Sequence, residues 1–281
     1  MRNLLSAYFA KLIKDRFFLL VEGCIMLWAI YVFWAARRDF IWGTDHINTN
    51  FNTNPYFFNI VIWIGLSLAA CSAVFVGTEY HDGILRNQII SGHKRSDIYL
   101  AHYLIFLLAG ILQAAAFFGV LMLADGLFLG FSIIRLLVRP WEYLLLLFLG
   151  LLGYSALFSC FSILLTNKTL IVSAQVLLVF LMLFFGFATV NSLLEPETVL
   201  ETNSYYGENK MRPNPKYLSG AERELYEWAD AIVPSSMILH GVMTEVKDGL
   251  PFSMKIPIGT MLLTVCFTGG GLYGFIKKDL K

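Results

Sequence analysis

Apolar and polar positions alternate along the chain on a coarse scale. Six long apolar runs, at about 17–36, 56–77, 98–124, 143–166, 169–191 and 256–276, are separated by polar stretches. Each is close to the ~20 residues with which a helix crosses the hydrocarbon core of a bilayer. Five of the runs contain no Asp, Glu, Lys or Arg, and the first carries Glu22 about a turn and a half in. That carboxylate reads either as a surface-seeking group near the headgroups or as an intramembrane pathway residue. The pattern predicts an all-α integral membrane protein, with one transmembrane domain of six spans over residues 1–281.

Between the runs, finer periodicity predicts shorter helices. In residues 2–16, Leu4, Leu5, Tyr8, Phe9, Leu12 and Ile13 fall on one helical face, with Arg2, Asn3, Lys11, Lys14 and Asp15 largely elsewhere. Such an amphipathic helix lies in the membrane interface before the chain turns into the first span. In the loop 78–97, Asp82 is positioned to cap a short helix whose end is marked by Gly92. Ile84, Leu85, Gln88 and Ile89 share a face of that helix, and Arg86, Asn87 and Ser91 point away. The segment 192–255 is polar and includes a turn-rich NKMRPNP stretch. There Ser219 with Glu222 predicts a capping box before a helix through about Ala231, and Pro234 predicts a second helix carrying Met237, Ile238, Leu239 and Val242. The two form either an external cap or a re-entrant hairpin, whose irregular connection must be buried in protein.

Composition supports the membrane reading: 57% of the 281 residues are hydrophobic and 15% are charged, against about 45–50% and about 25% in average soluble domains. The net charge of +1 points to no nucleic acid partner. The distribution of cations carries more. With the amino terminus inside, Arg2, Lys11, Lys14, Arg16, Arg86, Lys94, Arg95, Lys168, Lys277, Lys278 and Lys281 are cytoplasmic. The short outer loops hold only Arg37, Arg38, Arg135 and Arg139. This bias predicts cytoplasmic termini and a cytoplasmic 78–97 loop, with 37–55, 125–142 and 192–255 outside. The amino terminus has no small-residue cleavage site of the signal-peptide kind, so the first span is expected to persist.

The chemistry of an enzyme is missing from the pattern. Cys24, Cys71, Cys160 and Cys266 sit far apart within apolar runs and form no CxxC pair. The five histidines, His46, His81, His93, His102 and His240, show no HExxH spacing. A GxSxG elbow is absent, and without a Gly-Lys dipeptide there is no Walker A cradle. No catalytic residue and no metal site is expected.

The run Glu79-Tyr80-x-x-Gly83-x-x-Arg86, followed by Arg95 and a new span, resembles the loop between the second and third spans of ABC-2 type permeases, the membrane subunits of type V ABC exporters. The amphipathic first helix, the six spans, the long outer segment before the last span and the closing Phe275-x-Lys277-Lys278-Asp279 are similar as well. Ile84, His93 and His102 depart from the pattern, standing where Thr, Pro and Lys are common. The resemblance implies that this loop is a coupling helix docked on a separate ATPase subunit, which binds ATP and Mg while this chain binds no cofactor. It also implies pairing with a second permease copy, a homodimer, in the plasma membrane among lipids. The chain is also similar to Gram-positive exporters of lantibiotics, antimicrobial peptides or phenol-soluble modulins, which implies a cargo of that kind.

The expected coupling residues are Glu79, Tyr80, Asp82, Gly83, Ile84, Leu85, Arg86, Ile89 and Arg95. Glu79 is expected to pair with Arg86 or Arg95, and Ile84, Leu85 and Ile89 to enter a groove of the ATPase. A substrate path would lie between subunits and has few polar residues to draw on, such as Gln113, Ser155, Ser173 and Gln175, each of which also reads as a helix-packing residue. Scarce charge favours an apolar or amphipathic cargo, such as a peptide, over ions or sugars. A channel or secondary transporter would call for inverted repeats and broken, charged helices near the midplane, which the sequence lacks. A non-transporting sensor or immunity subunit of the same family remains an alternative.

Overall fold

A computed structural model describes residues 2–45, 56, 59–135, 137, 140–202, 209–236, 239 and 253–278. Within them, six helices are long and apolar enough to cross a membrane. They belong to α2 (Arg16–Asp45), α3 (Ile60–His81), α5 (Arg95–Leu129), α7 (Pro140–Leu164), α8 (Lys168–Leu194) and α10 (Lys255–Lys277). All six expected spans are present, and most extend beyond their apolar runs because a helix satisfies its own backbone past the hydrocarbon boundary. α1 (Arg2–Lys14) precedes them, and α4 (Ile84–Ile90) links α3 to α5. The short α6 (Ser132–Arg135) lies between α5 and α7, and α9 (Gly220–Ile232) comes before α10.

α10 packs along α7, α3 along α8 and α2 along α5, with α5 also against α7. Tyr99, Tyr154, Phe75, Phe106, Phe117 and Phe158 fill the shared interior. An outward belt remains: Leu177, Phe180, Leu181 and Phe184 on α8 and Leu20, Leu27 and Tyr31 on α2 are exposed. Large apolar side chains facing outward along a spanning helix suit lipid tails or another membrane helix. Cys71 and Cys160 are buried, and Cys24 and Cys266 lie on this apolar surface.

The apolar stripe of α1 divides between two environments. Leu4, Tyr8 and Leu12 are buried against the bundle, whereas Phe9 and Ile13 are exposed and free to enter a membrane interface. The helix is therefore packed on its own protein as well as shaped for the bilayer.

At the opposite end, the polar segment contains a two-stranded antiparallel ribbon that its turn-rich sequence had concealed. β1 (Thr198–Thr202) pairs with β2 (Asn209–Pro213), and Leu200 lies opposite Met211. Ser219 does occupy the residue before α9, but its side chain makes no capping hydrogen bond, so the expected capping box is not formed. After α9 the chain turns inward. Ala231, Ser235 and Ser236 are fully buried, Ser235 donates to the Met182 carbonyl, and Ser236 bonds to Asp230. The irregular backbone of this turn is enclosed by protein. Of the expected second helix, residues 234–236 and Leu239 are helical, while Met237, Ile238 and Val242 lie outside the described residues. α10 fits beside this turn because Gly259 has no side chain: a Cβ there would overlap the Ala231 carbonyl.

Candidate functional site

The loop that stood out in the sequence is fixed to the bundle by buried polar contacts. α3 ends at His81, and Asp82 forms its carboxyl-terminal cap, its N–H directed at the Thr78 carbonyl. The Asp82 carboxylate pairs with His81 at 2.9 Å on the surface. Asp82 is therefore not the amino-terminal cap of α4. That position belongs to Gly83, whose φ of 67° lies in the left-handed region open to glycine, and this allows the sharp turn between the helices.

On α4, Leu85 is 1% exposed, Ile84 and Ile89 are half-buried, and Arg86 and Asn87 are exposed. The shared face is as expected, but it is turned toward the chain's own core. Leu85 is an anchor, and the expectation that it enters a groove of another subunit is corrected. The apolar side chain offered outward is Ile90, 73% exposed.

Glu79 is fully buried, and its partners are neither Arg86 nor Arg95. Lys11 of α1 reaches its Oε1 at 2.8 Å, and His102 of α5 meets its Oε2 at 2.7 Å. The other imidazole nitrogen, Nδ1, lies 2.8 Å from the Ile98 carbonyl. A carbonyl only accepts, so Nδ1 carries a proton, and a second proton must lie between Nε2 and the carboxylate. The carboxylate thus gains two charge-assisted contacts, which offset the cost of burying it. Beside this node Tyr8 donates to Gln88 of α4 at 2.9 Å and packs its ring 4.6 Å from that of His102. Burial, and then the negative charge of Glu79, raise the Tyr8 phenol well above its ordinary range, which keeps it a donor. Through these contacts α1, α3, α4 and α5 meet at one polar point.

Arg95 and Tyr80 take part in a second set of contacts. The Arg95 guanidinium donates to the carbonyls of Phe275, Ile276 and Lys278 at 2.8, 2.9 and 2.6 Å, capping the end of α10. Lys278 in turn donates to the Ile163 and Leu164 carbonyls at 2.6 and 2.9 Å, capping α7, and to the Tyr80 hydroxyl at 2.8 Å. Tyr80 also donates to the Ile163 carbonyl. Cations at helix carboxyl termini satisfy orphan carbonyls and oppose the helix dipole. Burial of Lys278 lowers its amine from the usual lysine range to about 8.

The expected substrate-path residues do not come together. Gln113 is fully buried and accepts from Ser67 at 2.9 Å. Gln175 is fully buried, accepting from Ser72 at 2.9 Å and donating to Ser162 at 2.7 Å. Ser155 is buried and bonded to the Leu151 carbonyl one turn back. Ser173 lies on the outer surface and bonds to Leu170. Gln113 and Gln175 join helices, whereas Ser155 bonds within α7, and satisfied polar pairs between spans serve as packing contacts. Among the described residues, no group of three His, Cys, Asp or Glu side chains is placed to hold a metal ion.

Lys11, Tyr8, Gln88, His102 and Lys278 complete these clusters and were not singled out for them. Lys11 had a signal: it follows Tyr8 by three residues and so borders the buried stripe of α1. His102 stood out only as a departure from the permease pattern.

No curated protein shows detectable similarity to the chain. Residues 43–269, most of the chain, match the family described as ABC-2 family transporter protein. The match includes the α3–α4–α5 loop and the buried turn after α9 and begins after the first span. Members of this family are the membrane components of ABC transporters and in general pair with an ATP-binding subunit. With six potential spans and a short, firmly held helix between the second and third, this chain belongs to the ABC-2 family of transporter proteins.

Proposed function

We propose that the chain is the permease subunit of an exporter and that α4 receives force from a separate ATPase. The observation that carries this reading is the mounting of α4. Its inner side is tied to three helices through Leu85, Gln88 and the Lys11–Glu79–His102 node, while Ile90, Arg86 and Asn87 face outward. A helix mounted in this way passes a push on its outer side to α3 and α5 together. Glu79 and Arg95 act as fasteners of the loop, and Ile90 with Arg86 forms the docking contact. The basic-residue bias supports a cytoplasmic position for this end in a plasma-membrane protein. A second copy completes the permease, ATP and Mg remain on the ATPase, and the cargo is a hydrophobic or amphipathic molecule such as a peptide.

The test is co-purification with the cognate ATPase. Ile90→Asp should insert and fold but lose most ATPase binding, because a charge would be buried at the contact. Leu85→Asp should instead fail to fold, its carboxylate being forced into this chain's core. If Ile90→Asp and Arg86→Glu both retain full ATPase binding and transport, α4 is only a connector. Outside labelling of Ser219→Cys in intact cells checks the orientation; labelling that requires permeabilisation would invert it.

A further inference from the structure

The end of α2 away from α1 carries an aromatic patch with a cation fixed to it. Phe33 is buried, and Trp34 and Phe128 rest against it with ring centroids 5.9 and 5.8 Å away and 5.7 Å from each other. Trp34, Phe128 and its neighbour Leu127 are exposed. A tryptophan exposed near the end of a spanning helix stands at the level of the lipid headgroups. The Arg37 guanidinium lies over the Trp34 ring, its Cζ 5.1 Å from the centroid. Its Nε is buried without a hydrogen-bond partner, and among the described residues no carboxylate pairs with it. The neighbouring acid, Asp39, is already taken: Arg38 holds its Oδ1 at 2.9 Å, and Tyr56 donates to its Oδ2. A side chain moving freely in water would not have its Nε enclosed. Arg37 is therefore held flat on an indole with its charge unanswered.

The turn that follows Phe128 is built at a cost. Gly130 and Phe131 both take left-handed backbone conformations, at φ 59° and 63°, and a phenylalanine rarely does. This folds the Phe131 ring back over Gly126, where a Cβ would overlap it, and leaves the ring half-exposed. The turn also starts α6, which packs against both α2 and α5 and carries the exposed Arg135 to the same end. Backbone strain of this kind persists where the surroundings hold it, and it gathers at ligand sites.

We propose that this patch binds an anionic phospholipid, its phosphate accepting from Arg37 and its acyl chain lying along Trp34, Phe128 and Leu127. Charge complementarity selects this occupant. The planar guanidinium matches a phosphate through two parallel N–H donors, and stacking on Trp34 fixes its plane beforehand. A phosphocholine lipid would bring its own ammonium group beside Arg37 and Arg135. A second copy of the chain packed symmetrically on the patch would set arginines against arginines and supply no free acid, since Asp39 is engaged. The assignment concerns a lipid held at the rim of the bundle and stands whether or not α4 docks an ATPase.

The test uses the full-length chain in phosphatidylcholine nanodiscs, with phosphatidylglycerol or phosphatidylcholine of equal, brominated acyl chains titrated in. Bromine quenches the fluorescence of a tryptophan that it touches, and the part of the signal lost in Trp34→Phe belongs to Trp34. Half-quenching of that part should need about tenfold less of the glycerol lipid, the scale of one hydrogen-bonded contact to a charged group. Arg37→Gln should bring the two titrations together and leave the unfolding midpoint unchanged. Arg37→Lys keeps the charge without the planar fork and should fall between, and it decides the matter if Arg37→Gln does not insert. Equal quenching of the unmodified chain by both lipids would overturn the proposal, as would a preference that survives Arg37→Gln. So would a Trp34 that neither lipid quenches, which would assign the patch to a protein neighbour.

Discussion

At the end of the bundle that carries both termini, long side chains cross between helices to reach charges and open carbonyls. Lys11 spans to Glu79, Arg95 to the end of α10, and Lys278 to the end of α7. At the opposite end, small residues let backbones touch. Ala231 and Gly259 meet without side chains between them, and Ser235 reaches a carbonyl of α8 with a single hydroxyl. The ion pairs there, such as Lys255–Glu227 at 2.9 Å, lie partly exposed on the rim. Directional contacts fix an element and can be rearranged one at a time, whereas close backbone packing yields only as a unit. The first kind suits an end that must pass on a movement, and the second an end that must stay closed.

Substitutions that exchange these properties test the contrast. The largest effect is expected from Gly259→Leu, which drives a side chain into the Ala231 carbonyl and cannot be relieved by a rotamer change. It should cost about 4 kcal/mol, as severe overpacking does. Thermal unfolding in nanodiscs checks this, and an unchanged midpoint would mean that α9 does not rest on α10. Next is Glu79→Ala, which leaves His102 buried beside an empty acceptor site, at about 3 kcal/mol. Here the loss should be local as well as global: trypsin should cleave after Arg86 or Lys94 faster than in the unmodified protein. Equal cleavage rates would mean that the node does not hold α4. Tyr8→Phe removes the single bond to Gln88 and should cost about 1 kcal/mol. It should loosen α4 less than Glu79→Ala does, and a larger effect would place the main tie at Tyr8.

The same contrast explains which features could be read in the sequence. Each span is a local property, because some twenty apolar residues in a row have few other places to go, and α1 and α4 are local in the same way through their 3.6-residue repeat. The node is not local. Lys11, Glu79 and His102 are separated by 68 and 23 residues, and only the packing of α1 and α5 against α3 brings them together. Lacking that packing, the nearest cations in sequence, Arg86 and Arg95, were the natural partners to expect for Glu79. Leu85 misled for a related reason: periodicity defines an apolar face but not whether its own chain or another covers it. Gln113 and Gln175 were ambiguous because polar residues in a span serve helix pairing and transport alike, and their partners Ser67 and Ser72 lie on a different helix. The β1–β2 ribbon was hidden because its strands are short and polar, with Glu201 opposite Lys210, and they carry no alternating apolar face.

The smallest effect concerns Lys278 and takes the form of a pH dependence. Burial lowers its amine from 10.5 to about 8 in the folded protein, while the unfolded chain keeps the ordinary value. Between these values the unfolded chain binds more protons, so this group's contribution to stability rises with pH from about 8 to 10.5. It is complete above 10.5 and lost as pH falls through 8. The half-exposed position and screening by solvent limit it to roughly 1 kcal/mol. A second contribution runs the other way: the ammonium offers three protons to Tyr80, Ile163 and Leu164, and the neutral amine offers two. The net slope should therefore be shallow and positive. Lys278→Met keeps the apolar stem, removes both contributions and should flatten the slope, while lowering stability near neutral pH by leaving the α7 carbonyls uncapped. Unfolding midpoints for the two proteins between pH 7.5 and 10 would separate these effects. Parallel curves would show that Lys278 does not titrate there and serves only as a cap.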